Sequence, residues 1–277
     1  MIIRTAADLR QTVAAWKVAG KRVGVVPTMG ALHDGHLTLV RRTFDEADKV
    51  IVTIFVNPKQ FGPTEDLAKY PRTEEQDVEL LAAEGVDLVY APTPDQIYPD
   101  GFSTTVSVAG PAKAGLEDKF RPQFFDGVAT VVAKLFIQTD ADVALFGEKD
   151  YQQLAVVRRM ARDLDLDIEV IGVATVREED GLAMSSRNRY LSKHERHQAA
   201  AIHRALQQAA EKVRSGLDPQ AATRAASRSL MTLGFKVDYV TARNAASLAI
   251  PQTPDEPLRM LAAAWLGTTR LIDNIPV

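Results

Sequence analysis

The chain has 277 residues, of which 46% are hydrophobic and 25% charged, and its formal net charge is −3. This composition is typical of a globular protein with enough interior for a core, and it gives no electrostatic footprint for a nucleic-acid partner. The sequence has no cysteine, which excludes disulfides, thiolate metal sites and a cysteine nucleophile.

Strand and helix patterns alternate through the first 176 residues, which we interpret as one domain. The predicted strands are RVGVVPT, KVIVTIFVN, VDLVYAP, ADVALFG and LDIEVIGVAT. The predicted helices are HLTLVRRTFDEAD, with Leu37, Val40 and Phe44 on one face, TEEQDVELLAAEG, ending at Gly85, GVATVVAKLFIQTD and YQQLAVVRRMARDLD. This alternation predicts an α/β fold with a Rossmann-like, doubly wound parallel sheet, and ligands bind such sheets beyond the carboxyl ends of the strands.

The composition changes after residue 176, and we interpret residues 177–277 as a second, smaller α+β domain. A polar stretch, REEDGLAMSSRNRYLS, comes first. The Ala-rich stretches HQAAAIHRALQQAAEKVRSG and DPQAATRAASRSLMTLG predict helices, and KVDYVTA, RMLAAAWLG and TTRLIDNIPV predict strands. The longest aliphatic stretch, VIVTIFV, is too short to span a membrane, and the amino terminus becomes charged too early for a signal peptide. We therefore expect a cytoplasmic protein with no membrane partner.

The decapeptide PTMGALHDGH, residues 27–36, lies where the first of these strands meets a helix. Asp34 is the expected N-cap, and the helix dipole and backbone N–H groups would attract a phosphate there. His33 and His36 are three residues apart, so both imidazoles can face the start of the helix and stabilise charge on a reacting phosphorus. The alternative is that His36 is a surface residue and His33 a turn residue. A zinc site is weaker, because no third ligand completes it.

Two other segments carry polar residues suited to phosphate chemistry, and a third, FVNPKQFGPTEDLAKYPRT, carries Gln60. In GLAMSSRNRYLS, residues 181–192, two serines and Arg187 can wrap a polyphosphate, although a solvated linker has the same composition. In FGEKDYQQL, residues 146–154, a lysine can meet phosphate, Asp150 can hold magnesium and Gln153 can read a polar substrate, although a charged loop is the common alternative. Gln60 can project into a cleft or be solvated.

Taken together and in order, these segments resemble the pantothenate synthetase (pantoate–β-alanine ligase) family of the nucleotidylyl-transferase superfamily. PTMGALHDGH is similar to its HxGH-type signature and MSSRNRYLS to its KMSKS-type loop. FVNPKQF, YPRT, FGEKDYQQL and LGTTRLIDN also match in order. The resemblance implies ATP-dependent condensation of pantoate with β-alanine through a pantoyl adenylate, releasing AMP and diphosphate. It also implies Mg²⁺, a homodimer and a loop at 181–192 that acts as a lid.

The resemblance also implies roles for individual residues. His36 would be the proton donor, His33 would contact the phosphates, and Lys149 and Arg187 would complete the catalytic set. Gln60, Gln153 and Arg121 would contact substrate, with Gln60 near both pantoate and β-alanine. ATP would be bound by Met29, Gly30, Ala31, Leu32, His33, Asp34, Gly35, His36, Gly147, Glu148, Lys149, Asp150, the main chain of Val176, Met184, Ser185, Ser186 and Arg187.

The sequence departs from the family pattern at two places. RPQFFDGV has Phe124 where the pattern has a histidine, so no histidine role carries over, and Arg121 remains a candidate phosphate contact. Gln76 stands where an acidic residue is expected, although Asp77 matches, so Asp150 is the preferred magnesium ligand. Two other functions stay open, namely a nucleotidyltransferase that forms a stable adenylylated product and a catalytically silent nucleotide-binding regulator.

Overall fold

The computed structural model describes residues 1–63, 65–253 and 255–277. Contacts divide the chain into two compact units. The larger unit comprises Met1–Gly147 and Gln153–Val173, and the smaller unit comprises Glu148–Gln152 and Ala174–Val277. The predicted assignment of separate roles to residues 1–176 and 177–277 stays a prediction.

The larger unit is built on a parallel sheet. Its strands are β1 (Ile2–Ile3), β2 (Val23–Thr28), β3 (Lys49–Ile54), β4 (Leu88–Tyr90), β5 (Val143–Gly147) and β6 (Glu169–Val173). In the described part of the chain their order is β1-β4-β3-β2-β5-β6, and all the pairs are parallel. After β2 the chain adds β3 and β4 on one side and then β5 and β6 on the other. The strand order therefore reverses between β2 and β5, the position where such sheets bind ligands.

Helices cover both faces of this sheet, as the continuous apolar strands predict. They are α1 (Ala6–Val18), α2 (Asp34–Phe44), α3 (Glu74–Ala83), α4 (Pro94–Ile97), α5 (Glu117–Phe120), α6 (Phe124–Thr139) and α7 (Tyr151–Asp163). Successive strand residues face opposite sides. Val25 therefore joins a core cluster with residues of α1, α6 and α7, whereas Val26 joins one with residues of α2 and α3. The predicted doubly wound α/β fold is confirmed.

Some boundaries differ from the sequence prediction. Helix α6 begins at Phe124, three residues before the predicted start at Gly127, because the apolar face already starts with the buried Phe124 and Phe125. Phe44 is the last residue of α2 and is 38% exposed, so it does not share the buried face of Leu37 and Val40. The prediction also missed β1 and α1.

The smaller unit is the predicted α+β assembly. Its strands β7 (Lys236–Asn244), β8 (Leu258–Leu266) and β9 (Thr269–Pro276) form an antiparallel sheet in the order β7-β8-β9. Helices α8 (Lys193–Ala199), α9 (Ala201–Arg214) and α10 (Pro219–Thr232) pack on one of its faces. The single helix predicted for 197–216 is interrupted at Ala200, whose N–H bonds to the Gln198 carbonyl and so breaks the helical ladder. Among the helices of the described residues, none has the length and apolarity needed to cross a bilayer.

Candidate active site

The segment between β2 and α2 ends in a helix cap made by an imidazole. His33 is the N-cap residue, with extended backbone angles (φ −144°, ψ 171°), and its Nδ1 accepts a hydrogen bond from the Gly35 N–H at 3.1 Å. The prediction that Asp34 caps the helix is therefore wrong. Asp34 is the first helical residue, and its exposed carboxylate lies in the first turn. There it still interacts favourably with the helix dipole.

The two imidazole rings of this segment lie against each other in a tilted arrangement. The ring centroids of His33 and His36 are 4.1 Å apart with an interplanar angle of 38°, and both residues are half-buried. Because Nδ1 of His33 accepts a hydrogen bond, the ring in its neutral form would carry the proton on Nε2. His33 therefore presents an N–H donor on the side of the ring away from the helix backbone. The paired rings can supply donors to an anion at the positive end of α2.

The turn before the cap has an unusual backbone. Gly30 and Ala31 have φ values of +79° and +53°, in the left-handed region that costs an L-residue such as alanine about 1–2 kcal/mol. Asp77 on α3 holds this turn, since one carboxylate oxygen accepts the Ala31 N–H and the other accepts the Leu32 N–H, each at 2.8 Å. Asp77 is 1% exposed. The sequence reasoning did not give it this role, although its position four residues before the buried Leu81 was a signal that it faces inward.

The backbone amides of this segment are largely engaged within the protein. Gly30 N–H bonds to the Thr28 hydroxyl at 3.2 Å, while the next two amides bond to Asp77 and that of Gly35 bonds to the His33 ring. The expectation that backbone N–H groups would bind phosphate here therefore needs modification. What this segment offers to an anion is chiefly its imidazoles and the helix dipole.

Gln60 lies in the 3₁₀ helix Pro58–Gln60, which follows β3, and it is buried rather than solvated. Its Oε1 accepts from Asn57 Nδ2 at 3.0 Å, and its Nε2 donates to Met29 Sδ at 3.2 Å. A thioether is a weak acceptor, so a substrate oxygen can replace it at little cost. The structure thus brings together Gln60 and Met29, two of the predicted site residues.

Asn57 fixes this arrangement and was missed by the sequence reasoning. Its Nδ2 also donates to the Gly127 carbonyl at 3.1 Å, and its Oδ1 accepts from the Tyr98 hydroxyl at 2.7 Å. Burial raises the pKa of Tyr98, so the phenol stays protonated and remains a donor. Since Asn57 is 1% exposed, its network sets the orientation of the Gln60 amide.

Arg121 is engaged in an ion pair. It binds both carboxylate oxygens of Glu65, at 2.9 and 2.7 Å, and donates to the Gln60 carbonyl at 3.2 Å. Its guanidinium carbon lies 3.6 Å from the ring centroid of Phe124. The phenylalanine that replaces the histidine of the family pattern therefore serves as a stacking surface for this arginine. The role of Arg121 in binding substrate stays a prediction, and Glu65 already offsets its charge.

Two other predicted residues of the larger unit lie near the carboxyl end of β5. Gly147 ends that strand, and a Cβ built on it would meet nothing within 4 Å among the described atoms. Gln153 is half-buried in the first turn of α7. Open space at a strand end next to the reversal of strand order is where a ligand is expected.

In the smaller unit, the predicted residues Glu148, Lys149 and Asp150 form a 3₁₀ turn. Lys149 Nζ is 3.6 Å from the Asp150 carboxylate, whose side chain is 46% exposed. Among the described residues there is no group of three or more His, Cys, Asp or Glu side chains placed to hold a metal ion. A single exposed carboxylate fits a Mg²⁺ ion that is carried chiefly by phosphates and water, because Mg²⁺ retains much of its hydration.

The remaining predicted residues, from Val176 to Arg187, form an ordered segment rather than a solvated linker. The Val176 carbonyl accepts the Met184 N–H at 3.0 Å, and Arg177 forms an antiparallel bridge with Ala183. Ser185 caps the 3₁₀ helix Ser186–Tyr190 by accepting the Arg187 N–H at 3.3 Å. Both serines and Arg187 are half-buried.

Comparisons with known proteins agree with one another along the whole chain. The family model described as pantoate-beta-alanine ligase matches residues 1–276. A pantothenate synthetase of Bradyrhizobium sp. (strain BTAi1) is 57% identical, the match covering 100% of this chain and 98% of that protein. One of Ruegeria pomeroyi is 56% identical, with 100% and 97% covered.

Solved structures give the same result. The crystal structure of pantothenate synthetase from Thermus thermophilus has a TM-score of 0.93 at 46% identity and covers 99% of this chain and 98% of its own. A pantoate-beta-alanine ligase from Francisella tularensis, crystallised with beta-gamma ATP and beta-alanine, has a TM-score of 0.82 at 32% identity, with 100% and 97% covered. This chain therefore belongs to the pantoate–β-alanine ligase family.

Proposed function

We propose that the chain joins pantoate to β-alanine in two steps, with the start of α2 as the place where the phosphates react. The chain is a pantothenate-forming ligase, and ATP is its third substrate. A pantoate carboxylate oxygen attacks the α-phosphorus of ATP, the bond to the β-phosphate oxygen breaks and diphosphate leaves. The β-alanine nitrogen then attacks the acyl carbon, the bond to AMP breaks and the amine loses a proton.

The observation that carries this proposal is the close imidazole pair at the amino end of α2, with ring centroids 4.1 Å apart. In the first step negative charge moves onto the departing diphosphate. His33 would donate its Nε2–H to a phosphate oxygen, and His36 would donate a proton or hydrogen bond to the leaving group. These donors are held by a rigid turn, so little reorganisation is required as charge develops. Phosphoryl chemistry of this kind depends on positioning and charge stabilisation and needs no protein nucleophile.

The larger unit would also orient pantoate. Gln60 would exchange its thioether acceptor on Met29 for a pantoate oxygen, while the Asn57 network keeps its amide in place. Gln153 would contact the same substrate, and Gln60 would also lie near β-alanine. Arg121 would contact substrate next to Gln60, to whose carbonyl its guanidinium also donates. An amide donor aimed at a fixed oxygen distinguishes a hydroxy acid from an apolar acid.

Further phosphate contacts are proposed on the family resemblance. Lys149 would bind phosphate, and Asp150 would be one ligand of Mg²⁺, whose charge would assist departure of diphosphate. Ser185, Ser186 and Arg187 would bind the polyphosphate, with Arg187 acting on charge that grows in the transition state. The Val176 main chain would meet adenine. The remaining nucleotide contacts would come from Gly30, Ala31, Leu32, Asp34, Gly35, Gly147, Glu148 and Met184.

A diphosphate exchange assay tests the proposal. ATP, Mg²⁺ and labelled diphosphate are supplied with pantoate and without β-alanine. Reversible formation of pantoyl adenylate should move label into ATP only when pantoate is present. Label moving in the absence of pantoate would point to a different acceptor, and no movement with pantoate would contradict the adenylate step. Omitting Mg²⁺ tests the proposed metal.

Two substitutions test the assigned roles. His36→Ala should melt cooperatively and lose about 10²–10³-fold in exchange rate, the usual cost of removing one preorganised donor. Arg187→Ala should lower the rate at saturating ATP, because Arg187 is proposed to act on the transition state. Unchanged turnover in either variant would remove that residue from the mechanism. The homodimer and the cytoplasmic location remain proposals by family resemblance, and sedimentation and cell fractionation test them.

A further inference from the structure

The motif LGTTRLIDN, residues 266–274, matches the family pattern but has no role in the mechanism above. It ends in Asp273 and Asn274, two polar residues of β9 that are 4% and 3% exposed. In the antiparallel ladder they pair with Ala262 and Leu261 of β8. Neighbouring strand residues point to opposite faces of a sheet, so these two side chains lie on opposite faces of β9. Buried polar groups are costly unless they are bonded, so their partners identify what they do.

Asn274 holds the turn that carries Lys149. Its Nδ2 donates to the main-chain carbonyls of Glu148 and Lys149, at 2.9 and 2.8 Å. Its Oδ1 accepts from Arg259 Nε at 2.7 Å, and another nitrogen of that arginine donates to the Glu148 carboxylate at 2.8 Å. Both amide protons of Asn274 are therefore used on the backbone of a single turn.

Asp273 holds the base of the segment that leads to Ser185, Ser186 and Arg187. Its carboxylate binds Arg177 in a two-pronged ion pair at 2.8 and 2.9 Å, and His203 Nδ1 lies 3.4 Å away. Burial by itself raises the pKa of Asp273, but His203 and Arg177 outweigh burial and hold the pKa below its ordinary value. The carboxylate is therefore charged at neutral pH and remains ion-paired with Arg177.

Arg177 connects Asp273 to the loop by bonding to both. The backbone of Arg177 pairs with that of Ala183, which leaves residues 178–182 as a turn. The Arg177 guanidinium donates to the Gly181 carbonyl within this turn, at 3.0 Å. Gly181 has φ +92°, and a Cβ there would lie 2.6 Å from the His203 ring, so the turn packs closely against α9. The chain continues from this turn into Met184 and the cap at Ser185.

We propose that Asp273 and Asn274 are positioning residues, which hold the Ser185–Arg187 loop and the Lys149 turn, respectively, in their reactive arrangement. The proposal rests on the roles proposed above for Lys149 and Arg187. Neither residue is assigned contact with substrate. Each acts through backbone or side-chain atoms of a neighbouring segment in the same unit.

The test compares Asp273→Asn and Asn274→Ala with a control in the same sheet. The control is Asp238→Asn, which removes a buried carboxylate paired with Arg270 at 2.8 Å and touches neither segment. Thermal melts first establish that each variant folds, and the rate of diphosphate exchange is then measured over a range of ATP concentrations. The β9 variants should lose about 10- to 100-fold in maximal rate, the cost of misplacing groups by about 1 Å. Asp238→Asn should lose stability alone. Asn274→Ser, which keeps one donor, replaces Asn274→Ala if that variant does not fold.

Two further readouts separate positioning from general destabilisation. Amide hydrogen exchange should speed up at 148–152 in Asn274→Ala and at 176–188 in Asp273→Asn, and at neither in the control. In a double-mutant cycle, Asn274→Ala should cost little once Lys149→Ala is present, because coupled residues are not additive. The proposal would be overturned if the effects of Asn274→Ala and Lys149→Ala on the rate were fully additive. It would also be overturned if Asp273→Asn, Asn274→Ala and the control Asp238→Asn lost equal amounts of rate. If the wild-type protein itself showed no diphosphate exchange, the proposed function would be overturned, whereas the prediction for amide hydrogen exchange would still stand.

Discussion

Replacing Asp77 by asparagine tests how the α2 site is built. Its two carboxylate oxygens accept the Ala31 and Leu32 N–H groups, each at 2.8 Å, in a fully buried position. Asparagine keeps one oxygen and presents an NH₂ group to the other backbone N–H. One charged hydrogen bond, worth about 1.5–3 kcal/mol, is then lost and a buried N–H is left unsatisfied at about 1–3 kcal/mol. We expect a loss of about 2.5–4 kcal/mol in unfolding free energy, since partial relaxation of the turn reduces the upper end.

This loss should be visible in both stability and chemistry. At roughly 2–4 °C per kcal/mol, Tm should fall by about 5–15 °C. The left-handed turn at Gly30 and Ala31 would lose its restraint and displace the imidazoles, so the diphosphate exchange rate should fall by about 10- to 100-fold.

The matched control for this change is Asp87→Asn. Asp87 also accepts a strand N–H, that of Val50 at 2.9 Å, and binds Lys49 Nζ at 2.6 Å. It directly precedes β4, however, and its partners are the first two residues of β3, so it lies at the amino ends of these strands, the edge of the sheet opposite the candidate site. That variant should lose stability and keep its exchange rate. The reasoning would be refuted if Asp77→Asn kept the wild-type rate of diphosphate exchange, or if both variants lost this rate equally.

Three more outcomes are expected. His33→Asn should keep the helix cap, since asparagine is a strong N-cap residue, yet lose exchange activity, whereas His33→Ala should lose activity and about 1 kcal/mol, as melts and exchange assays can measure. Gly127→Ala should destabilise rather than stabilise α6, because the new Cβ would lie 2.2 Å from the Lys59 carbonyl oxygen, and it should raise the KM for pantoate. Burial by itself raises the pKa of Asp142, but Lys17 and a backbone N–H outweigh burial and hold the pKa below its ordinary value. The resulting stabilisation is present above the unfolded pKa of about 3.9 and is lost as pH falls through the folded pKa, so Asp142→Asn should show a shallower loss of stability in melts below about pH 4.

The sheet, and the position of the candidate site at one of its edges, were predictable because their signals are local. Apolar strands such as KVIVTIFVN alternate with amphipathic helices, and this pattern alone implies parallel strands covered on both faces. In such a sheet the carboxyl ends share one edge, which places the 27–36 segment at the ligand-binding side. The identity of the helix cap was predicted wrongly as Asp34. Both His33 and Asp34 can accept an N–H, and the extended backbone of His33 selects the imidazole.

The residues that fix the site were not predictable because their partners are distant in sequence. Asp77 bonds residues 45 and 46 positions away, and Asn274 bonds carbonyls 125 and 126 positions away. A buried carboxylate or amide has no local periodicity that names its partner. Asn57 is similar, since its partner Gly127 lies 70 positions along the chain. Only the fold brings these groups together.

Oxygen labelling tests the central claim, transfer of AMP to the pantoate carboxylate, most directly. Pantoate carrying ¹⁸O in its carboxylate is turned over with ATP, Mg²⁺ and β-alanine, and the products are analysed by mass spectrometry. Attack on the α-phosphorus leaves one carboxylate oxygen in AMP when the amine displaces it, so one ¹⁸O should appear in each AMP. Unlabelled AMP, with ¹⁸O found in diphosphate or inorganic phosphate, would contradict the account.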